Sequence, residues 1–168
     1  MEAKQITPDY WVSPQLSVDD LAIAQAQGFR SIVVNRPDAE EPGQPSIAAM
    51  SMAAEEAGLG FAAIPVRPGH VTDQDVAQFA TAIARLDGPV LAYCRTGSRA
   101  ATLWALSAAD GLGPDAVLNA VAATGHDITP LRSRLVERHG LRGQTSSGNE
   151  GERGSNAAAG ERPVQGRI

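Results

Sequence analysis

The fold is decided by residues 88–110, which read GPVLAYCRTGSRAATLWALSAAD. Residues 89–93 form a short apolar run after a glycine, a pattern typical of a strand buried on both faces of a parallel sheet. Residues 99–110 carry apolar side chains at helical spacing. The only cysteine of the chain, Cys94, stands between the two patterns. This stretch therefore predicts a strand, a tight loop that opens at Cys94, and the N-terminus of a helix.

The rest of the chain alternates between strand and helix patterns in the same way. Predicted strands cover residues 10–12, 31–35 and 61–66, and predicted helices cover residues 17–26, 46–57, 72–86, 114–123 and 130–139. Ser17, Ser46 and Thr72 stand at predicted helix starts, where their side chains can cap free backbone N–H groups. Regular alternation predicts an α/β fold, with a mainly parallel central sheet flanked by helices.

Length and composition predict one domain and a tail. A chain of 168 residues with 43% hydrophobic content suits one soluble domain with a sizeable core. After residue 142 the composition changes to Gly, Ser, Glu, Arg and Ala with almost no bulky apolar side chain. We therefore expect a domain over residues 1–142 and a disordered tail over residues 143–168.

Charge and cysteine content exclude several classes of protein. A net charge of −5 and a pI of about 5.1 argue against a nucleic-acid-binding surface. One cysteine rules out an internal disulfide framework, and the N-terminal residues lack the apolar core of a signal peptide. No apolar stretch is long enough for a membrane helix. We therefore expect a cytoplasmic protein that binds neither membrane nor nucleic acid, with no metal and no cofactor.

The loop after Cys94 has the features of an anion receptor. Consecutive backbone N–H groups in such a loop, together with those of the first helical turn, form a concave anion site. The same field and the neighbouring Arg95 and Arg99 favour thiolate over thiol at Cys94. A cation in the first turn of a helix opposes the helix dipole, so Arg99 indicates a bound anion. The alternative is a buried structural cysteine beside solvated arginines.

Other candidate residues follow from the predicted sheet. In open parallel sheets, ligands bind beyond the carboxyl ends of the strands, so the loops after residues 35 and 66 should converge on Cys94. These loops carry the candidates Arg36 for anion binding and Asp38, His70 and Asp73 for proton transfer. Loop charges are otherwise simply solvated. His126 and His139 match no metal motif and are predicted to lie at the surface.

Four segments carry a resemblance to a known family: SPQLS at 13–17, GFRSIVVNRPD at 28–38, IPV at 64–66 and GPVLAYCRTGSR at 88–99. Over most of residues 5–110 the chain resembles the phosphatase-like domain family of beta-lactamase hydrolase-like proteins. The resemblance implies a fold of the phosphotyrosine protein phosphatase type. It also implies a small anionic substrate such as a phosphate ester.

The resemblance implies a role for each residue of the cysteine loop. Cys94 would be the nucleophile that forms a cysteinyl-phosphate, and Arg99 the clamp on the phosphate oxygens. The backbone of the intervening residues would hold three oxygens of a phosphate-like group: Arg95, Thr96, Gly97 and Ser98.

Two departures from tyrosine phosphatases leave the reaction open. Those enzymes place five residues between Cys and Arg, whereas four intervene here, and Arg67 and Pro68 stand where their acid usually follows the strand. The acid would then come from Asp38 or Asp73. Rhodanese-type sulfurtransferases have the shorter loop and need no such acid, so transfer of sulfane sulfur through a Cys94 persulfide is the alternative. A third hypothesis is a non-catalytic anion or persulfide sensor.

Overall fold

The computed structural model describes residues 1–146, with five strands in one central sheet. The strands are β1 (Lys4–Thr7), β2 (Tyr10–Ser13), β3 (Ser31–Val34), β4 (Gly60–Ala63) and β5 (Val90–Tyr93). Their order across the sheet is β1-β2-β5-β3-β4. Only β1 and β2 pair antiparallel; the other three pairings are parallel. The predicted α/β architecture with a mainly parallel sheet is confirmed.

Helices cover both faces of the sheet. They are α1 (Asp19–Ala26), α2 (Ile47–Glu56), α3 (Asp73–Ile83), α4 (Ser98–Leu112), α5 (Pro114–Ala122) and α6 (Arg132–Ser146), with a 3-10 turn over Thr129–Leu131. Buried side chains of α1 and α2 pack against one face, and those of the later helices pack against the other. No helix within residues 1–146 is long and apolar enough to cross a membrane.

The apolar run in β5 exists because this strand is buried on both faces. Val90 and Ala92 pack into the core under α3 to α6, whereas Leu91 and Tyr93 pack into the core under α1 and α2. All four side chains are buried. Successive side chains of a strand point to opposite faces, so a strand between two helical layers must be apolar at every position.

The register of the sheet positions the cysteine loop. Tyr93, the last residue of β5, pairs with Ser13 of β2 and with Val34 of β3. The carboxyl ends of these three strands are therefore level. The next residue, Cys94, lies where the loops after β2 and β3 begin.

Capping residues begin three helices as predicted. Ser46 accepts a hydrogen bond from the Ala49 N–H at 3.1 Å. Thr72 and Asp75 form a reciprocal capping box, each accepting from the backbone N–H of the other. Ser17 and Asp20 make the same pair of contacts. Since each cap satisfies N–H groups that a helix leaves free, short polar motifs mark these starts in the sequence.

Three elements differ from the prediction. β1 was not predicted because its four residues are polar or half-buried, and only pairing with β2 makes them a strand. β4 ends at Ala63, two residues before Pro65, which cannot donate a ladder hydrogen bond. α6 does not end at Gly140 but continues to Ser146, beyond the predicted domain boundary at residue 142. The remainder of the predicted tail, residues 147–168, lies outside the described residues.

Candidate active site

Cys94 lies at the base of the loop that joins β5 to α4. Its side chain is buried, with 1% of the residue exposed. Gly97 has a φ of +93°, a left-handed conformation that turns the chain into α4 at Ser98. The Gly97 N–H donates to the Cys94 Sγ at 3.1 Å. The loop therefore directs a backbone donor at the sulfur.

Arg99, in the first turn of α4, is held by a glutamate that the sequence did not single out. Its Nη1 and Nη2 donate to the two carboxylate oxygens of Glu40 at 2.7 and 2.9 Å. Nη1 also donates to the Val66 carbonyl at 2.8 Å. This bidentate pairing fixes the plane of a guanidinium that is only 8% exposed.

The remaining edge of Arg99 can bind an anion beside the sulfur. Nη1 uses both its hydrogens on Glu40 and Val66, so the free donors are Nε and the second hydrogen of Nη2. Burial acts to lower the pKa of Arg99, but hydrogen bonding to Glu40 and the nearby Cys94 sulfur outweigh burial and raise it. Arg99 therefore stays charged. Its Nη1/Nη2 edge binds Glu40, and its Nε/Nη2 edge is available to a ligand.

The loop between β3 and α2, residues 36–45, is here called the acidic loop. Arg36 Nε donates to Glu40 at 2.8 Å. Arg36 Nη2 forms an ion pair with one Glu41 oxygen at 2.8 Å, although the two groups are not aligned for a hydrogen bond. The other Glu41 oxygen forms an ion pair with Arg95 at 2.8 Å. Arg36 is 2% exposed and also bonds the Gln15 side chain. Its contacts position the two glutamates, and it does not line the pocket described next.

A pocket of about 440 Å³ opens beside the cysteine loop. Its polar lining includes residues of the loop and of α6, and its apolar lining comes from the segments after β4 and α5. The lining residues are Pro68, Gly69, Val71, Arg95, Thr96, Ser98, Arg99, Thr102, Asp127, Ile128, Pro130, Leu131 and Arg134. The pocket thus joins arginine and hydroxyl groups at one end to an apolar wall.

Neither predicted acid lines this pocket. Asp38 accepts a hydrogen bond from the Ile47 N–H at 2.7 Å and so serves the start of α2. Asp73 begins α3 and pairs with Arg134 at 2.7 Å and Arg138 at 3.0 Å. These arginines, chiefly Arg134, lower the pKa of Asp73 and keep it ionised. Both carboxylates have structural partners that their loop positions in the sequence do not reveal.

Two of the three histidines are placed differently from the prediction, whereas His139 is exposed as predicted. His126 is half-buried rather than at the surface, because it packs against the cysteine loop: a Cβ atom added to Gly97 would lie 2.8 Å from its Nε2. Its Nδ1 lies 3.5 Å from the Ser98 Oγ. Burial, and secondarily Lys4, lowers the pKa of His126. His70 bonds its own loop at the Pro68 carbonyl and lies outside the pocket lining.

Sequence reasoning also passed over Asp127, which does line the pocket. It follows α5, 33 positions after Cys94 in the chain, and no local motif connects the two residues. Within residues 1–146, no three His, Cys, Asp or Glu side chains group closely enough to hold a metal ion.

A comparison with protein families identifies the family of this chain. The family described as beta-lactamase hydrolase-like protein, phosphatase-like domain, matches residues 2–111. The chain belongs to this family. The matched segment includes the whole cysteine loop and the acidic loop.

Curated relatives are named beta-lactamase hydrolase-like proteins. A beta-lactamase hydrolase-like protein of Agrobacterium fabrum is 39% identical over 109 residues, which cover 65% of this chain and 25% of that protein. Another, from Xylella fastidiosa, is 42% identical over 96 residues, which cover 57% of this chain and 22% of that protein. The chain therefore spans about a quarter of the length of these relatives.

Solved structures establish the fold type. A candidate phosphatase of Neisseria meningitidis shares 35% identity with a TM-score of 0.70, covering 80% of this chain and 96% of that one. Tk-PTP in its active form shares 20% identity with a TM-score of 0.64, covering 83% and 97%. At that identity the second likeness concerns the fold alone. The phosphotyrosine phosphatase-like fold is thereby confirmed.

We predict that Gly97→Ala disrupts the loop whereas Gly111→Ala does not. An alanine at Gly97 must keep a left-handed φ and meets His126, so we expect a loss of about 1–2 kcal/mol in the free energy of unfolding. Gly111 lies within α4, and no atom is close to an added Cβ there. Alanine at this position should raise the free energy of unfolding by about 0.5–1 kcal/mol. Urea unfolding of both variants measures the difference, and equal effects would contradict this account.

We predict that the protein loses stability at low pH because Glu40 becomes protonated. Hydrogen bonding to Arg99 is the main cause that lowers the pKa of Glu40 from 4.5 to about 2. Ionised Glu40 therefore stabilises the folded state fully above pH 4.5, and this stabilisation is lost as the pH falls toward 2. Glu40→Gln should cost about 1–3 kcal/mol near neutral pH and much less at about pH 2.5. Thermal unfolding across that range, with exposed Glu55→Gln as control, tests this; a pH-independent cost would refute it.

Proposed function

We propose that this chain hydrolyses phosphate monoesters through a cysteinyl-phosphate on Cys94. The observation that carries the proposal is the arrangement of the buried Arg99. Its Nη1/Nη2 edge binds Glu40, while its Nε/Nη2 edge remains available beside the sulfur. Membership of a phosphatase-like family and the likeness to phosphatase structures support the same reaction. The domain represents about a quarter of its curated relatives, so the proposal concerns this domain.

The reaction divides into two displacements at phosphorus. The Cys94 thiolate attacks phosphorus, the P–O bond to the ester group breaks, and the leaving oxygen takes a proton from an acid. Water then attacks the cysteinyl-phosphate, the S–P bond breaks, and the thiolate is restored as inorganic phosphate leaves. Arg99 and the N–H groups of residues 95–98 would bind the phosphate oxygens in both steps, where charge develops.

The pocket supports an apolar ester group. Val71, Ile128 and Leu131 form part of its wall, and such a surface favours an aryl or alkyl group over a second charged one. Glu40 and Glu41 already neutralise arginines beside the loop, which disfavours substrates with several phosphates.

We predict that Cys94→Ser abolishes release of phosphate from 4-nitrophenyl phosphate. Serine keeps the size of the side chain but is a far weaker nucleophile at neutral pH, so activity should fall below detection while thermal unfolding stays close to that of the wild type. Met52→Ala, at an exposed position on α2, is the control and should retain full activity. The proposal fails if the wild type releases no phosphate anywhere between about pH 5 and pH 8.

A second candidate function is transfer of sulfane sulfur. Four residues rather than five separate Cys94 from Arg99, and the predicted acids Asp38 and Asp73 lie outside the pocket lining. In this reaction Cys94 attacks the outer sulfur of thiosulfate, the S–S bond breaks, and sulfite leaves with the bonding electrons. The persulfide then passes its outer sulfur to an acceptor thiolate, which restores Cys94. No alkoxide has to be protonated.

Intact mass measurement tests sulfur transfer directly. Incubation with thiosulfate should add the mass of one sulfur atom to the wild type and nothing to Cys94→Ser, because the persulfide forms only on the thiol. Cyanide should then remove the added sulfur as thiocyanate. No added mass and no thiocyanate would exclude this candidate.

A further inference from the structure

We propose that Asp127 is the general acid for the phosphatase reaction, donating its proton to the leaving oxygen of the ester. The assignment rests on the proposed phosphatase function. It replaces Asp38 and Asp73, the two candidates that the sequence suggested.

The first argument is position. Asp127 is the only Asp or Glu among the residues that line the pocket beside the cysteine loop. If the phosphate group binds the loop, the ester group extends into this pocket, because the pocket offers an apolar wall beside the loop. The leaving oxygen then lies between the loop and Asp127.

The second argument is the direct contact between the Asp127 segment and the cysteine loop. The preceding residue, His126, packs on Gly97 and reaches Ser98. The following residue, Ile128, is 5% exposed and belongs to the core. With a neighbour anchored on each side, the Asp127 backbone is held beside the loop while its side chain is exposed.

The third argument is how the carboxylate itself is held. One oxygen, Oδ1, accepts a hydrogen bond from the Thr129 N–H at 2.9 Å. The Thr129 side chain bonds the same carboxylate. Because the Asp127 side chain is exposed, its carboxylate oxygens keep lone pairs that can carry the transferred proton. The Asp127 side chain is therefore oriented by Thr129 and chemically available.

The charge around Asp127 determines when it is protonated. Thr129 lowers the pKa of Asp127 in the free protein, so its resting form is the carboxylate. A phosphate dianion bound nearby would repel that carboxylate and raise its pKa. The charged or titratable groups of the adjoining elements are Lys4, Cys94, Arg95, Arg99, His126 and Arg134.

In the first step, the proton moves from the Asp127 carboxyl group to the ester oxygen as the P–O bond breaks. In the second step, the resulting carboxylate takes a proton from the attacking water as the S–P bond breaks. The carboxyl group is thereby restored, and protons balance over one turnover.

The test compares two ester groups in Asp127→Asn. Asparagine can still accept from the Thr129 N–H, so the fold of the segment should be kept. With phenyl phosphate, whose leaving group needs protonation, kcat/KM, which reports only the steps up to formation of the cysteinyl-phosphate, should fall by about 10²–10⁴-fold. With 4-nitrophenyl phosphate, whose leaving group is stable as an anion, the fall should be much smaller. A purely structural role would lower both rates equally.

The pH profile supplies a second measurement. In the wild type, kcat for phenyl phosphate should decline as the pH rises through the pKa of Asp127 in the complex, and this decline should disappear in Asp127→Asn. Asp115→Asn, an exposed carboxylate on α5, is the matched control and should behave as the wild type.

The outcomes separate the two proposals. The assignment of Asp127 is overturned if Asp127→Asn loses equal activity on both substrates, or none, and keeps the pH profile of the wild type. The proposed phosphatase function still stands in that case if the wild type hydrolyses the esters. No hydrolysis of either ester by the wild type overturns the proposed function and this assignment with it.

Discussion

The bidentate pairing of Arg99 with Glu40 is the interaction on which the site depends. Without Glu40, a buried guanidinium in the first turn of α4 would face an unfavourable helix dipole with few partners. The pairing also ties the acidic loop to the cysteine loop, because Glu40 bonds Arg36 as well. Ala39, next to Glu40, has a left-handed φ of +61°, a costly conformation for alanine that these ion pairs can hold in place. One carboxylate thus orients the Arg99 guanidinium and contacts Arg36 of its own loop.

The parallel sheet makes that pairing possible. Because β2, β5 and β3 end at the same level, the loops that follow them meet around Cys94. Backbone hydrogen bonds secure the junction: the Asn35 N–H donates to the Tyr93 carbonyl at 2.8 Å, and the Gln15 N–H donates to the Arg95 carbonyl at 3.3 Å. Strand register, rather than any single motif, assembles the loop cluster.

The pocket combines two parts of the chain with different relationships to the family. The cysteine loop lies within the family match over residues 2–111, whereas Asp127, Ile128, Leu131 and Arg134 follow it. The cysteine loop is thus built from the shared segment, and one wall of the pocket is built from the segment beyond it. His126 joins the two by packing on Gly97. Discrimination between ester groups would therefore depend on residues outside the shared segment.

Local sequence alone determined the strand, cysteine loop and helix of residues 88–110, because apolar periodicity and glycine act between near neighbours. It also indicated the fold class, through the alternation of strand and helix patterns. Only the tertiary structure decided that Glu40 binds Arg99, that Asp73 binds Arg134, and that Asp127 lines the pocket. These contacts join residues more than 50 positions apart, or loops with no periodic pattern. Charged loop residues look alike in a sequence, and their partners follow from strand order and helix packing, which no local pattern encodes.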